Sequence, residues 1–503
     1  MVIDARRFTV GELDEAVRLE RPLSLSDEVL RCIDEGARFV ARLAAGDEYV
    51  YGVNTGFGSL CETRIAPDQV EQLQYNHVVS HAAGVGAPVR ERIVKLMLLI
   101  KLLTFRTGNT GVAPVTVERL VAMWNAGAVP VIPEKGTVGA SGDLAPLAHM
   151  ALPLIGLGEA YLHGERVSGA ELLRRLGWEA LRLQPKEGLA LTNGVQYINA
   201  MAVDALVRLG RLIDLADVIA SLSAQAFSTA QTFYHPTYHT TTYHEDRKIV
   251  AANLAWATAG GNHHALATAV RSKQDPYSFR CIPQVHGAIR QVFGFCKRTV
   301  EDEINGVSDN PLFFPDEELA LFGGNLHGQS TAFALDFLAM AASELASIAE
   351  RRTYQLLSGR RGLPDFLVKN AGLNSGMMLA QYTSAALVNE NKVFCYPASV
   401  DTIPTCQLQE DHVSMGGTSG HKLRTVLENC EYVLGIELLT AAQASEMNRE
   451  LRLSPVARDL YEEFRADVEP LEDDRVLSPD IERARAYVVR RAAAWSQRVE
   501  ARR

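Results

Sequence analysis

Apolar residues recur at helical spacing along most of the chain, and glycine-rich polar patches interrupt them. Residues 24–46, SLSDEVLRCIDEGARFVARLAAG, read as a capped helix: Ser26 can cap it, Asp27 and Glu28 fill the first turn, and Gly46 ends it. A glycine-rich loop, YGVNTGFGSL, follows at 51–60. The stretch PVRERIVKLMLLIKLLTFRTGN (88–109) predicts a second helix, closed by Gly108 and Asn109. Its apolar run is broken by Lys101 and is well short of a membrane span.

From Gly194 the pattern changes. GVQYINAMAVDALVRLGRLIDLADVIASLSAQAFSTAQ (194–231) has no proline and one internal glycine, and as a single helix it would be on the order of 55 Å long. Three further stretches, 325–352, 375–393 and 419–450, read the same way. Long helices so rich in small and apolar residues bury them against each other, as in a bundle, or between subunits. The predicted fold is mainly α. It has an irregular N-terminal domain over 1–193 and a long antiparallel helical-bundle domain over 194–503.

Composition narrows the function. A chain of 503 residues with 47% hydrophobic and 22% charged residues is an ordinary folded protein with room for more than one core. The net charge of −10 argues against a nucleic-acid surface. Seven widely spaced cysteines without C-x-x-C argue against a disulfide framework or zinc ribbon and for a reducing compartment. The opening MVIDARRFTVGELDE carries charge where a signal peptide needs an apolar core. A cytoplasmic protein without membrane or nucleic-acid partners is expected.

Familiar motifs mostly fail. There is no G-x-x-x-x-G-K-[ST], no G-x-G-x-x-G after a convincing strand, and GASGD is not a G-x-S-x-G elbow. YHPTYHTTTYHED offers His235, His239 and His244, but Pro236 and three threonines favour a loop that contacts a partner surface, and no metal site is expected. YLHGERVSG resembles an exposed turn. Glu410, Asp411 and His412 are adjacent, which does not by itself make an acid/base pair, and Asp411 or Ser414 can equally cap a helix.

What remains are polar clusters in glycine-rich stretches: YGVNTGFG (51–58), SHAAGVG (80–86), GTVGASGDLAP (136–146), LTNGVQ (191–196), SKQDPYSFRC (272–281), GGNLHG (323–328) and QEDHVSMGG (409–417). Together they resemble one site assembled from many loops. Ala140-Ser141-Gly142 offers chemistry of its own. Attack of the Gly142 nitrogen on the Ala140 carbonyl carbon closes a five-membered ring. Loss of two waters, one of them from Ser141, leaves a methylidene-imidazolone, a strong electrophile. Glycine permits the close approach, and serine supplies a hydroxyl that can be eliminated. The tripeptide alone proves little, since about one chain in six of this size contains one by chance.

The stretch GTVGASGDLAPLAH resembles the signature of the ammonia-lyases and aminomutases that use this group, 4-methylidene-imidazol-5-one (MIO). YGVNTGFG, QDPYSFRC, SDNPL with GGNLHG, and QEDHVSMGG resemble that family too, in its order, from about residue 49 to 425. The resemblance implies a MIO-containing N-terminal domain, a long helical bundle, no external cofactor, and a homotetramer whose sites draw on three chains. It assigns Tyr51 as the base for the β-proton, on a site that favours phenolate, and Arg280 as the grip on the substrate carboxylate. Asn193, Gln274 and Tyr277 would orient MIO and substrate, and Glu410 would move a proton.

For the substrate, Ser80-His81 resembles the SH of histidine lyases rather than the HL of tyrosine-type enzymes, and Gln409-Glu410-Asp411 differs from the NQD of plant-type phenylalanine lyases. An imidazole and a carboxylate suit a ring that donates and accepts hydrogen bonds. The expected reaction is non-oxidative elimination of ammonia from L-histidine to trans-urocanate. A phenylalanine or tyrosine lyase, or an aminomutase, is the alternative. Leu326 stands where histidine lyases more often carry phenylalanine, and TCQLQEDH departs from the commoner TSANQEDH. Two other classes remain: a family member that binds without catalysis, and a metal-dependent hydrolase using the histidine-rich loop.

Overall fold

The computed structural model describes residues 1–269 and 274–502, and in it the chain is mainly helical. The first helix expected from sequence runs Asp27–Ala45, with the Ser26 hydroxyl accepting from Val29 N and Gly46 at its end. The second runs Glu91–Phe105 and is buried over almost its whole length. The others are Gln196–Ala226, Gln329–Leu356, Met378–Phe394 and Gly416–Met447. The Gln196–Ala226 helix has 31 residues, about 46 Å. It is shorter than expected because Ser228 takes a left-handed φ of 55° that ends the helical path.

The chain forms two compact units, and neither is contiguous. One comprises Met1–Asp204, Lys297–Asp336 and Pro397–His421; the other comprises Ala205–Cys296, Phe337–Tyr396 and Lys422–Arg503. A single boundary at 193/194 is therefore replaced by an interleaved division, because the chain returns twice to the first unit between long helices. Composition along the sequence cannot reveal such returns.

The first unit also holds short strands that helical periodicity does not anticipate. Ala128–Pro130, Glu159–Leu162 and Glu165–Ser168 form an antiparallel sheet. The exposed turn expected at YLHGERVSG is the hairpin between the last two, with His163 and Gly164 both at positive φ, as a two-residue hairpin loop requires.

The second unit buries charge among its apolar helices. Arg352 lies fully buried in a two-pronged bond to Glu437. Asp217, also buried, accepts from His286 at 2.7 Å and from Arg290 at 2.7 Å. Phe227 and Phe279 stack with centroids 4.8 Å apart. By length and composition the Gln329–Leu356 helix could cross a membrane, but 67% of its apolar window is buried inside the protein.

Candidate active site

Ala140-Ser141-Gly142 forms the tip of a tight turn in the first unit, with Gly139 and Gly142 paired across it. Ser141 has φ 54° and Gly142 φ 78°. A left-handed serine costs on the order of 1 kcal/mol, and such strain concentrates at functional positions. Glycine is required at 142, because a Cβ there would lie 2.1 Å from the Gly194 carbonyl oxygen. The Ser141 hydroxyl donates to Glu410 Oε1 at 2.8 Å, and Thr405 Oγ1 donates to Glu410 Oε2 at 2.9 Å. Glu410 is thus anchored on one oxygen and aimed with the other.

Tyr51 heads the YGVNTGFG loop. Asn54 holds this loop by donating to Glu48 O at 2.9 Å and accepting from Val50 N at 2.8 Å. The loop folds back so that Gly58 N donates to the Tyr51 hydroxyl oxygen at 3.1 Å. Gly58 sits at φ 54°, and a Cβ on it would meet Cys406 Sγ at 2.5 Å. That sulfur accepts from Ser59 N at 3.3 Å. Burial raises the Tyr51 pKa above 10, with the charges of Glu410, Cys406 and Cys61 adding to it; the Gly58 amide alone acts the other way. The expected preference for phenolate is therefore not met by this chain alone, where desolvation outweighs one hydrogen bond.

His81 closes the helix Val70–His81 and is half-buried. Its Nδ1 lies 2.7 Å from the His77 carbonyl oxygen, so this nitrogen carries the hydrogen and Nε2 keeps a bare lone pair. The His77 ring packs at a tilt against those of Phe57 and His81, with centroids 4.1 and 3.9 Å away. Thr192 gives its hydroxyl hydrogen to the Gly188 and Leu189 carbonyls, so His77 Nε2 donates to Thr192 Oγ1, at 2.9 Å. Burial lowers the pKa of both imidazoles, most strongly for His77; the Glu410 charge partly opposes this at His81. Glu410 is thus electrostatically close to Ser141, Tyr51 and His81 together.

Asn193 is buried behind the turn. Its amide donates to Asn310 O at 3.2 Å, while its buried Oδ1 has no partner among the described residues, an acceptor left for something else. Asp143, immediately after the tripeptide, accepts from Tyr197 N and Ile198 N at 3.0 Å each and so caps the Gln196–Ala226 helix. Burial still pushes its pKa up to about 7. Lys186 and Asp309, both fully buried, are paired at 2.7 Å.

The structure brings Tyr51, His81, Ala140, Ser141, Gly142, Asn193 and Glu410 into the first unit. Leu326 lies there too, half-buried in the turn before Gln329. Gln274, Tyr277 and Arg280 belong to the second unit. Tyr277 is 69% exposed and carries the Arg280 guanidinium 4.4 Å from its ring centroid; Arg280 Nε is buried and has no partner among the described residues. Ser272 and Lys273 of the same stretch lie outside the described residues. The three loop histidines turn to separate partners: His235 to Thr237 N, His239 to Phe233 O and His244 to Gln291. Sequence reading overlooked Cys406 and His77. Cys406, Gln407 and Leu408 of TCQLQEDH all take positive φ.

Residues 8–466 match the aromatic amino acid lyase family. The chain belongs to the aromatic amino acid lyases. A histidine ammonia-lyase of Symbiobacterium thermophilum is 46% identical over 94% of each chain. Among solved structures, histidine ammonia-lyase from Trypanosoma cruzi aligns at TM-score 0.91 and 37% identity, covering 99% of this chain and 95% of that one. A tyrosine aminomutase from Streptomyces globisporus aligns at TM-score 0.93 and 33% identity, covering 100% and 98%. This lyase fold therefore accommodates more than one chemistry, and side chains must choose between them. The family's MIO group fits the residues present: the turn bends at Ser141, Gly142 has no room for a side chain, and the hydroxyl to be lost is held by Glu410.

Proposed function

We propose that this aromatic amino acid lyase eliminates ammonia from L-histidine to give trans-urocanate and ammonium, as a cytoplasmic homotetramer whose sites draw on three chains. The observation that carries the reading is His81: a neutral imidazole with its Nδ1 hydrogen spent on His77 O and its Nε2 lone pair bare, in the field of Glu410. Both groups are acceptors, and a substrate imidazole brings the N–H that they can receive and a phenyl ring lacks. A phenyl ring would leave His81 Nε2, and Glu410 Oε1 once the Ser141 hydroxyl is gone, without a donor, at about 1–3 kcal/mol each.

MIO, formed from Ala140-Ser141-Gly142, supplies an electrophile that makes the substrate's amine a better leaving group or its β-hydrogen more acidic. The remaining tasks fall to side chains. Tyr51, as phenolate, takes the β-proton and becomes a neutral phenol; the Gly58 amide at 3.1 Å stabilises the charge its oxygen carries before that transfer. Arg280 holds the substrate carboxylate with its planar fork, and Gln274 and Tyr277 flank it. Asn193 offers its unpartnered Oδ1 toward the substrate amine. Glu410, fixed by Thr405, carries a proton between substrate and solvent.

A phenylalanine or tyrosine lyase, or an aminomutase, is the second reading, favoured by Leu326 in place of the larger phenylalanine. The deciding experiment gives the purified protein L-histidine, L-phenylalanine and L-tyrosine separately and follows ultraviolet absorbance and product mass. Urocanate from histidine alone supports the proposal. Cinnamate, coumarate or a β-amino acid overturns the histidine assignment.

A further inference from the structure

Lys101 sits in the middle of the Glu91–Phe105 helix, with no exposed surface and apolar residues on either side in sequence. An ammonium in such a place is costly unless a strong acceptor meets it. The acceptor is a main-chain carbonyl: Lys101 Nζ donates to Asn193 O at 2.6 Å. Burial pulls the Lys101 pKa down to about 7, with Asp309 and Asp143 opposing and Lys186 adding to the fall.

The residue after Asn193 is the one that grips the Ala-Ser-Gly turn. Gly194 N donates to Ser141 O at 3.3 Å, and Gly194 O accepts from Asp143 N at 2.7 Å. Gly142 and Gly194 pair as neighbouring strands do, with a contact too close for any side chain at 142. A chain of bonds therefore runs from a rigid buried helix through Lys101, Asn193 and Gly194 to the peptide units on either side of Gly142.

We propose that Lys101 is a positioning residue for backbone cyclisation: through the Asn193 carbonyl it fixes Gly194, and through Gly194 it holds Gly142 where its nitrogen can reach the Ala140 carbonyl carbon. The inference rests on the MIO reading of the proposed function. In the reaction the Gly142 nitrogen bonds to the Ala140 carbonyl carbon. The Ala140 oxygen leaves as water with the amide hydrogens of Gly142 and Ser141. The Ser141 hydroxyl leaves as a second water with its own α-hydrogen. No oxidant or co-reactant is consumed. Lys101 touches none of these atoms; it removes backbone freedom that the ring closure would otherwise have to remove itself.

The test reads mass rather than turnover, since a cyclised chain is lighter by two water molecules. Wild type, Lys101→Met, Lys101→Gln and Lys186→Met are folded from newly made chains that still carry their full mass, sampled over time, and weighed intact after denaturation, with circular dichroism followed alongside. Lys101→Met keeps the length and apolar stem without the donor, and is expected to fold yet lose the two waters about tenfold to a hundredfold more slowly than wild type. Lys101→Gln, with a shorter neutral donor, is expected between them. Lys186→Met controls for the loss of a buried lysine that does not touch Asn193. Cyclisation of folded Lys101→Met at the wild-type rate overturns the proposal. So does loss of folding in both Lys101 variants and in Lys186→Met alike, which makes Lys101 a structural residue only. A wild-type chain that keeps its full mass overturns the MIO reading itself, and this proposal with it.

Discussion

The Ser141 hydroxyl donates to Glu410 Oε1 at 2.8 Å, across 269 positions of sequence. In the proposed chemistry the bond joins the residue whose hydroxyl would be lost to a carboxylate whose charge also reaches Tyr51 and His81. On the proposed function, one side chain would thereby couple the making of the electrophile to the groups that handle substrate.

Replacing Ser141 with alanine removes the only hydroxyl in the tripeptide without disturbing the turn's glycines. The variant is expected to fold, to keep its full mass, and to lose at least roughly 4 kcal/mol of catalysis, about a thousandfold in rate. Product absorbance together with intact mass checks this; full turnover would exclude MIO chemistry.

Glu410→Gln keeps the shape but removes the charge. Burial is the largest cause of the high Tyr51 pKa, and Glu410 adds to it; at His81 the same charge opposes the lowering by burial. Removing it lowers both pKa values, so both groups reach their deprotonated forms at lower pH. The rising limb of kcat/KM is expected to move to lower pH, while kcat falls by about 10²–10⁴ if the carboxylate moves a proton. An unmoved limb would show that Glu410 does not act on either group.

His81→Leu removes the bare Nε2 acceptor on the half-buried ring. The expected cost for L-histidine is about 1–3 kcal/mol in kcat/KM, with L-phenylalanine losing little or gaining. Equal losses for both substrates would remove His81 from substrate choice.

Asp309→Asn leaves the fully buried Lys186 ammonium without its counter-charge. Breaking such a pair costs about 3–5 kcal/mol. A fall in melting temperature of the refolded protein, beyond that of a surface substitution such as Glu318→Gln, is the expected result; an unchanged temperature would mean that Lys186 is already neutral in the folded state.

Most of the helical architecture is legible in the chain. Ser26 and Gly46 bound a helix where local capping places them, because cap residues act on backbone groups only a few positions away. The Ala-Ser-Gly tripeptide can be picked out as a candidate for a similar reason: the chemistry proposed for it needs only three consecutive residues. The long stretch from Gly194 predicts a helix that proves shorter than its pattern, since nothing in residue type marks Ser228 as left-handed. Lys101 stood out as a charge in an apolar run, yet its acceptor is a carbonyl 92 positions away. The short strands went unseen, being set by pairing between segments and not by their own periodicity.

By itself, then, the sequence determined the helices, their caps and the candidate electrophile, all of which depend on interactions within a few residues. Only the tertiary structure decided that Glu410 faces Ser141, that His81 presents Nε2 and not Nδ1, and that burial works against the Tyr51 phenolate. These depend on distances between segments far apart in sequence and on the exclusion of water around them, and neither quantity exists until the chain has folded.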